Sequence, residues 1–151
     1  MTNINSKKLL ELAESKEITI GIIGLGYVGM PLALSFVKAG FQVIGFDIDK
    51  TKIEQINRFE SYIWSISSSD LSEALKKGLT VTNDMSKSST ADVLIICVPT
   101  PLNKNDQPDL KYVIDSTDAI LPFLRNGQLI SLESTTYPGT TEEEILPRIE
   151  K

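Results

Sequence analysis

The sequence predicts an α/β protein built as a doubly wound parallel sheet, and three observations carry that prediction. Five short runs rich in isoleucine, valine and leucine alternate with stretches whose apolar residues recur at helical spacing. The first run, Ile18 to Ile23, passes directly into Gly24-Leu25-Gly26-Tyr27-Val28-Gly29 and then into a helical pattern. A later run, Val93 to Val98, is apolar almost throughout, as in a parallel strand covered on both faces.

Composition sets the frame for these elements. A chain of 151 residues suits one domain and can bury a core, and 41% hydrophobic with 23% charged residues is ordinary for a globular protein. A net charge of −5 argues against a nucleic-acid surface, which shows as clustered lysine and arginine. No apolar run reaches the length of a membrane span, and Met1 to Lys16 lacks the apolar core of a signal peptide. Cys97 is the single cysteine, so no intrachain disulfide can form and a cytoplasmic location is expected. No metal site is expected. Histidine is absent, so any chemistry in these residues proceeds without an imidazole base.

In chain order, Ser6 can cap a first helix running to Lys16, with an apolar face of Leu9, Leu10, Leu12 and Ala13. After the first strand, Met30 to Ala39 reads as a helix closed by Gly40, and Pro31 fits its first turn, where a missing N–H costs nothing. Phe41 to Phe46 reads as the second strand and ends at Asp47. Lys50 to Arg58 carries Ile53 and Ile56 at helical spacing. Phe59 to Ser69 is irregular, with Tyr62, Ile63, Trp64 and Ile66 among serines; it reads either as a small cluster under a loop or as a surface facing a ligand or a further domain.

Asp70 to Lys77 reads as a short capped helix closed by Gly78, Leu79 to Thr82 as the third strand, and Asp84 to Thr90 as a turn or brief helix. The fourth strand contains Cys97, whose expected role is core packing. Pro99 to Leu102 ends that strand, Asn103 to Pro108 is a polar loop, and Asp109 can cap a helix from Leu110 to Leu124. Asn126-Gly127 marks a turn before the fifth strand, Gln128 to Leu132, and a loop from Glu133 to Gly139 follows. Thr140 and Thr141, with Glu143 and Glu144 three residues on, offer alternative capping boxes for a last helix.

Right-handed crossovers give five parallel strands the spatial order 3-2-1-4-5, a Rossmann-like arrangement with a ligand across the carboxyl ends of strands 1, 2, 4 and 5. In a dinucleotide-binding turn Gly24 would allow the bend, Gly26 would let the backbone approach a pyrophosphate, and Gly29 would let helix and strand pack closely. The glycines alone also suit an ordinary strand-to-helix turn. Asp47 stands close to the interval of about 20 residues at which an acidic residue meets the adenosine ribose, and its charge would favour NAD over NADP. Its plainer reading is a solvated carboxylate or a helix cap.

The motifs GLGYVGMPLALSF, GFDIDK, ICVPTPL, QPDL and LESTTYPGTTEEE resemble the N-terminal NAD-binding domain of the UDP-sugar 6-dehydrogenases, from about Ile18 to the last residue. The VPTPL and ESTTYPGTTEE forms, with SYI at Ser61 to Ile63, look most like the branch acting on UDP-N-acetylglucosamine or related acetamido sugars. The sequence departs from the pattern at Met30 and at Trp64-Ser65-Ile66. The resemblance implies oxidation of a sugar C6 alcohol to a carboxylate with two NAD, in polysaccharide-precursor synthesis. It also implies a cysteine nucleophile, a lysine and an asparagine that fall beyond these residues, so that the chain is a cofactor-binding fragment of a larger homodimer or higher homo-oligomer. By the same resemblance Gly24, Gly26 and Gly29, with Tyr27 and Val28 between them, meet the pyrophosphate, Asp47 and Lys52 meet the adenosine ribose, and Val98, Thr100 and Pro101 line the cofactor. Ser134 and Thr135 approach the nicotinamide ribose, and Thr135 resembles a threonine that helps place the catalytic water; its plainer reading is a turn hydroxyl. The competing readings are a stand-alone NAD-sensing module and a relative of the 6-phosphogluconate and hydroxyacid dehydrogenases, against which the VPTP and STTYPG loops speak.

Overall fold

The computed structural model describes residues 6–150. Five parallel strands, β1 (Thr19–Ile23), β2 (Gln42–Phe46), β3 (Leu79–Thr82), β4 (Val93–Ile96) and β5 (Leu129–Leu132), form one sheet in the order β3-β2-β1-β4-β5, as the sequence predicts. The side-chain period of two divides each buried strand between two cores. Ile20 and Ile22 of β1 and Val93 and Ile95 of β4 face one side, where α2 (Gly29–Lys38), α3 (Lys50–Asn57) and α4 (Ser68–Lys77) supply Met30, Ala33, Val37, Ile53, Ile56, Leu71 and Ala74. Ile23 of β1 and Leu94 and Ile96 of β4 face the other, against Val113 and Ile120 of α5 (Lys111–Ile120) and Ile145. A first helix, α1 (Ser6–Glu14), lays Leu9, Leu12 and Ala13 on the first core. The cap expected of Ser6 lies outside the described side chains.

The register puts one row of residues level across the sheet: Thr82, Phe46, Ile23, Ile96 and Leu132 are neighbours in sequence of strands from one edge to the other. The next residue on each strand therefore opens the carboxyl rim. Those residues are Asn83, Asp47, Gly24, Cys97 and Glu133. At the opposite end a polar latch ties the strand starts together. Asp92 accepts the Thr19 N–H at 2.9 Å and the Arg125 guanidinium at 2.6 Å, while Arg125 also donates to the Ser89 and Ala91 carbonyls and Gln128 to those of Ser88 and Ala91.

Several element ends differ from expectation, each for a local reason. Helix α4 begins two residues before Asp70, because Ser67 caps it and Asp70 completes the capping box as its third residue. The fourth strand stops at Ile96 rather than Val98. Cys97 N–H still donates to the Ile23 carbonyl at 2.8 Å, but β1 ends there and Pro99 constrains Val98. The expected helix to Leu124 breaks at Leu121–Phe123 into a 3₁₀ turn containing Pro122. Asp109 does accept the Lys111 N–H at 2.9 Å. Met85–Thr90 is a 3₁₀ helix capped by Asp84. The capping boxes expected at Thr140 and Thr141 do not form: Thr140 is buried in helical conformation and its hydroxyl donates back to the Tyr137 carbonyl at 2.7 Å. A widened π turn, Thr141–Ile145, precedes α6 (Leu146–Ile149), whose Pro147 has no N–H to continue the regular ladder.

Candidate functional site

The carboxyl rim holds a cleft of about 980 Å³. Its floor is the glycine turn. Gly24 has φ +94°, a conformation that side chains resist, and a Cβ on it would lie 2.7 Å from the Cys97 carbonyl oxygen. A Cβ on Gly29 would come within 1.8 Å of the Gly24 carbonyl oxygen, so α2 and the turn touch backbone to backbone. Gly26 is different, for a Cβ there would meet nothing within 4 Å and would project into open space. At the head of α2 the residue Val28 supplies no side-chain cap, and Pro31 is the third helical residue. Met30 N–H donates to the Gly26 carbonyl at 3.1 Å and Pro31 has no N–H, so the N–H groups of Val28 and Gly29, without an acceptor among the described residues, form the dipole end that favours an anion.

Asp47 is the most constrained polar side chain of the cleft, only 7% exposed. Its Oδ2 accepts the Leu25 N–H at 3.0 Å and the Lys52 ammonium at 3.3 Å, and its Oδ1 accepts the Asp49 N–H at 2.9 Å. It is not the cap of α3. Asp49 is, accepting the Thr51 N–H at 2.9 Å. An ionised carboxylate offers about four acceptor sites. Three are taken, which leaves one on Oδ1 for a hydroxyl from a ligand.

The irregular segment after α3 packs partly into the core and partly along the cleft. Ile63 and Ile66 are buried in the first core, while Tyr62 and Ile63 border the cleft and Trp64 stands 89% exposed. The Tyr62 hydroxyl donates to the Leu25 carbonyl. The Leu25 peptide is therefore held from both sides, by Asp47 through its N–H and by Tyr62 through its C=O. Burial, then the charges of Asp47 and Asp49, push the Tyr62 phenol well above its ordinary pKa, so it stays a donor.

On the far wall the loops after β4 and β5 are stitched together. Ser134 donates to the Val98 carbonyl at 2.8 Å and Thr100 to the Thr135 carbonyl at 2.6 Å. Cys97 lies one residue beyond β4, buried in the first core yet bordering the cleft, and burial followed by the Glu133 charge raises its thiol to about 11.

Of the residues singled out from the sequence, Gly24, Gly26, Tyr27, Val28, Asp47, Lys52, Val98, Thr100, Ser134 and Thr135 border this cleft. Gly29 and Pro101 do not. Gly29 acts behind the turn, and Pro101 lies where the chain folds outward, accepting the Asp109 N–H at 2.7 Å while Leu102 bridges back to Pro108. Sequence reasoning missed Ile48, Glu133 and the α5 face of Tyr112, Asp115, Ser116 and Ala119. Glu133 follows β5 as Asp47 follows β2, and the α5 residues recur three and four apart, so strand register and helical spacing could have found both.

Residues 18–151 match the family described as UDP-glucose/GDP-mannose dehydrogenase family, NAD binding domain. The chain belongs to this family. Its fold and its cofactor, NAD, are those of the family's cofactor domain. Among similar proteins, a UDP-N-acetyl-D-glucosamine 6-dehydrogenase of Pseudomonas aeruginosa is 35% identical over 136 residues, covering 90% of this chain and 32% of the relative. One of Salmonella typhi is 40% identical over 131 residues, covering 87% and 30%. A ternary complex of GDP-mannose dehydrogenase from Pseudomonas aeruginosa superposes with a TM-score of 0.81 at 35% identity, covering 87% of this chain and 31% of that one. The UDP-N-acetyl-mannosamine dehydrogenase of Staphylococcus aureus gives 0.80 at 34%, covering 87% and 32%. The chain thus spans about a third of the length of these relatives.

Proposed function

We propose that the chain is the cofactor half of a dehydrogenase that oxidises the C6 alcohol of a UDP-sugar to a carboxylate with two NAD, the sugar being UDP-N-acetylglucosamine or a related acetamido sugar. The observation that carries this reading is the cleft itself, in which an open-faced Gly26, an uncapped helix head and the free acceptor site of Asp47 lie along one rim. In it the pyrophosphate rests over Gly24 and Gly26 beside the α2 N-terminus, and the adenosine ribose hydroxyl donates to Asp47. Tyr27 and Val28, exposed at the turn, flank the phosphates. Val98, Thr100, Ser134 and Thr135 form the wall beside the nicotinamide ribose, and Thr135 is the residue assigned to placing water.

NAD supplies the hydride acceptor. The residues of this chain bind it, orient its two riboses and close one side of the reaction space. Covalent capture of the aldehyde oxidation state, the water attack that releases the acid and recognition of the sugar are assigned to a further domain, within a homo-oligomeric cytoplasmic enzyme. Both acetamido sugars named among the relatives support that substrate class. Calorimetric titration with NADH, followed by absorbance assays for NADH formation with a panel of UDP-sugars, tests the reading. The isolated chain should bind NADH and oxidise none of the sugars. Absence of NADH binding overturns the cofactor site, and turnover by the chain alone overturns the division between domains.

A further inference from the structure

We propose that Lys52 is a latent anchor for a 2′-phosphate, and that Asp47 sets the choice of dinucleotide by holding this cation as well as by repelling the phosphate. The inference rests on a dinucleotide occupying the cleft. It starts from the arrangement around the Asp47 carboxylate. Lys52 is the third residue of α3; its ammonium lies 3.3 Å from Oδ2 of Asp47 and 5.8 Å from the centre of the Tyr62 ring. The lysine side chain is 34% exposed and the aspartate 7%, so the cation stands out in the cleft while the anion beneath it meets the cleft only through its free acceptor site. Asp49 is engaged in capping α3, and Ile48 and Lys50 are exposed on either side of it.

A ribose hydroxyl hydrogen-bonded to the free site on Oδ1, at about 2.7 Å, would lie no more than about 8 Å from the Lys52 nitrogen, which a phosphate on that hydroxyl and the flexible lysine stem can close between them. A phosphate on that hydroxyl would meet two opposed charges. Paired as they are, the two cancel, and the carboxylate, itself an acceptor, gains nothing from an acceptor-only phosphate. With Asp47 neutral, the same phosphate would face an unpaired ammonium on a flexible stem, close to the aromatic ring that holds it over the cleft. One substitution would then convert a repelled group into an anchored one.

The test is a cycle of four chains: parent, Asp47→Asn, Lys52→Met, and the double variant, each titrated with NADH and NADPH. Asp47→Ser is carried alongside, because an asparagine amide has two orientations, one of which sets its N–H₂ against the Leu25 N–H. Melting curves establish that each variant folds. Parent should prefer NADH, whereas Asp47→Asn or Asp47→Ser should bind NADPH about tenfold tighter than parent does. Adding Lys52→Met should remove that gain, and its effect on NADPH should be about tenfold larger in the Asp47→Asn background than in parent. Additive effects, or an NADPH gain that survives Lys52→Met, would overturn the inference while leaving the cofactor reading intact. Failure of the parent to bind NADH would overturn both.

Discussion

Two glycines three residues apart in the same turn should fail in opposite ways, and the difference can be worked from the geometry. A Cβ at Gly29 would sit 1.8 Å from the Gly24 carbonyl oxygen, where contacts under 3.0 Å are essentially never seen. Backbone and helix would have to part by roughly 1 Å, against a neighbour that cannot rotate away. Overpacking of this kind costs ~1–3 kcal/mol, and for a chain of this size ~3 kcal/mol lowers the melting temperature by about 6–12 °C. Gly29→Ala should therefore melt well below the parent. A Cβ at Gly26 meets nothing within 4 Å, and a residue replacing glycine at an accessible conformation also narrows the unfolded ensemble. Gly26→Val should melt at or slightly above the parent temperature yet lose NADH affinity by about a hundredfold, since its branched side chain fills the space assigned to the pyrophosphate. Thermal melting and calorimetric titration on the same preparations measure both quantities. Normal binding by Gly26→Val would place the pyrophosphate elsewhere, and parent-like stability of Gly29→Ala would show that the helix does not depend on that close approach.

Three further outcomes follow from the same contacts. Asp47→Ala removes a charged acceptor and strands the Leu25 N–H, so NADH binding should weaken by about tenfold or more; an unchanged titration would take Asp47 out of the ribose site. Arg125→Ala breaks the latch at the strand starts, leaving the Asp92 carboxylate without its cation, and should cost about 1–3 kcal/mol in urea denaturation with NADH affinity unchanged, because the latch lies at the end of the sheet away from the cleft. Alkylation of Cys97 in the folded chain should climb with a midpoint near about 11; because the unfolded thiol ionises first, the stability tied to keeping it neutral is intact below about pH 9 and is lost as pH rises toward 11, a loss that Cys97→Ala should abolish.

Strand order and cleft position were legible because they rest on periodicity and topology, which survive in local sequence. The apolar runs locate β1 and β4, and right-handed crossovers then leave little freedom in how β2, β3 and β5 are added. The partners of individual side chains were less legible. Nothing in the sequence near Asp47 distinguishes it from Asp49 as the cap of α3; that is decided by the sheet register, which turns Asp47 inward beside Gly24 and leaves Asp49 at the helix head. Tyr62 is separated from Leu25 by 37 residues and three elements, so its grip on the turn is a tertiary fact with no local signature. The capping boxes at Thr140 and Thr141 failed for a related reason. Their spacing matches the motif, but burial of Thr140 holds it in helical conformation, and the box requires an extended residue.

The treatment of helix heads shows where binding has been kept at the expense of stability. Asp49 and Ser67 cap α3 and α4 with side-chain acceptors, each worth about 1 kcal/mol over an uncapped start. At the head of α2 stands Val28, whose side chain can accept nothing, and an aspartate or serine there would be the more stabilising choice. Such a cap would also occupy the N–H groups and set its own oxygen where an incoming phosphate must sit. Instead the chain fixes the turn from outside, with Asp47 and Tyr62 holding the Leu25 peptide and Gly29 packed on Gly24, so that the Val28 and Gly29 donors are ordered while Met30 alone donates, to the Gly26 carbonyl. Donors held in this way need little reorganisation when an anion arrives, which lowers the ordering cost of binding. The uncapped head of α2 is thus the counterpart of the crowded Asp47: one leaves the Val28 and Gly29 donors open to an anion, and the other uses one acceptor site to fix the turn through the Leu25 N–H, two on Lys52 and the Asp49 N–H, and keeps one for a hydroxyl.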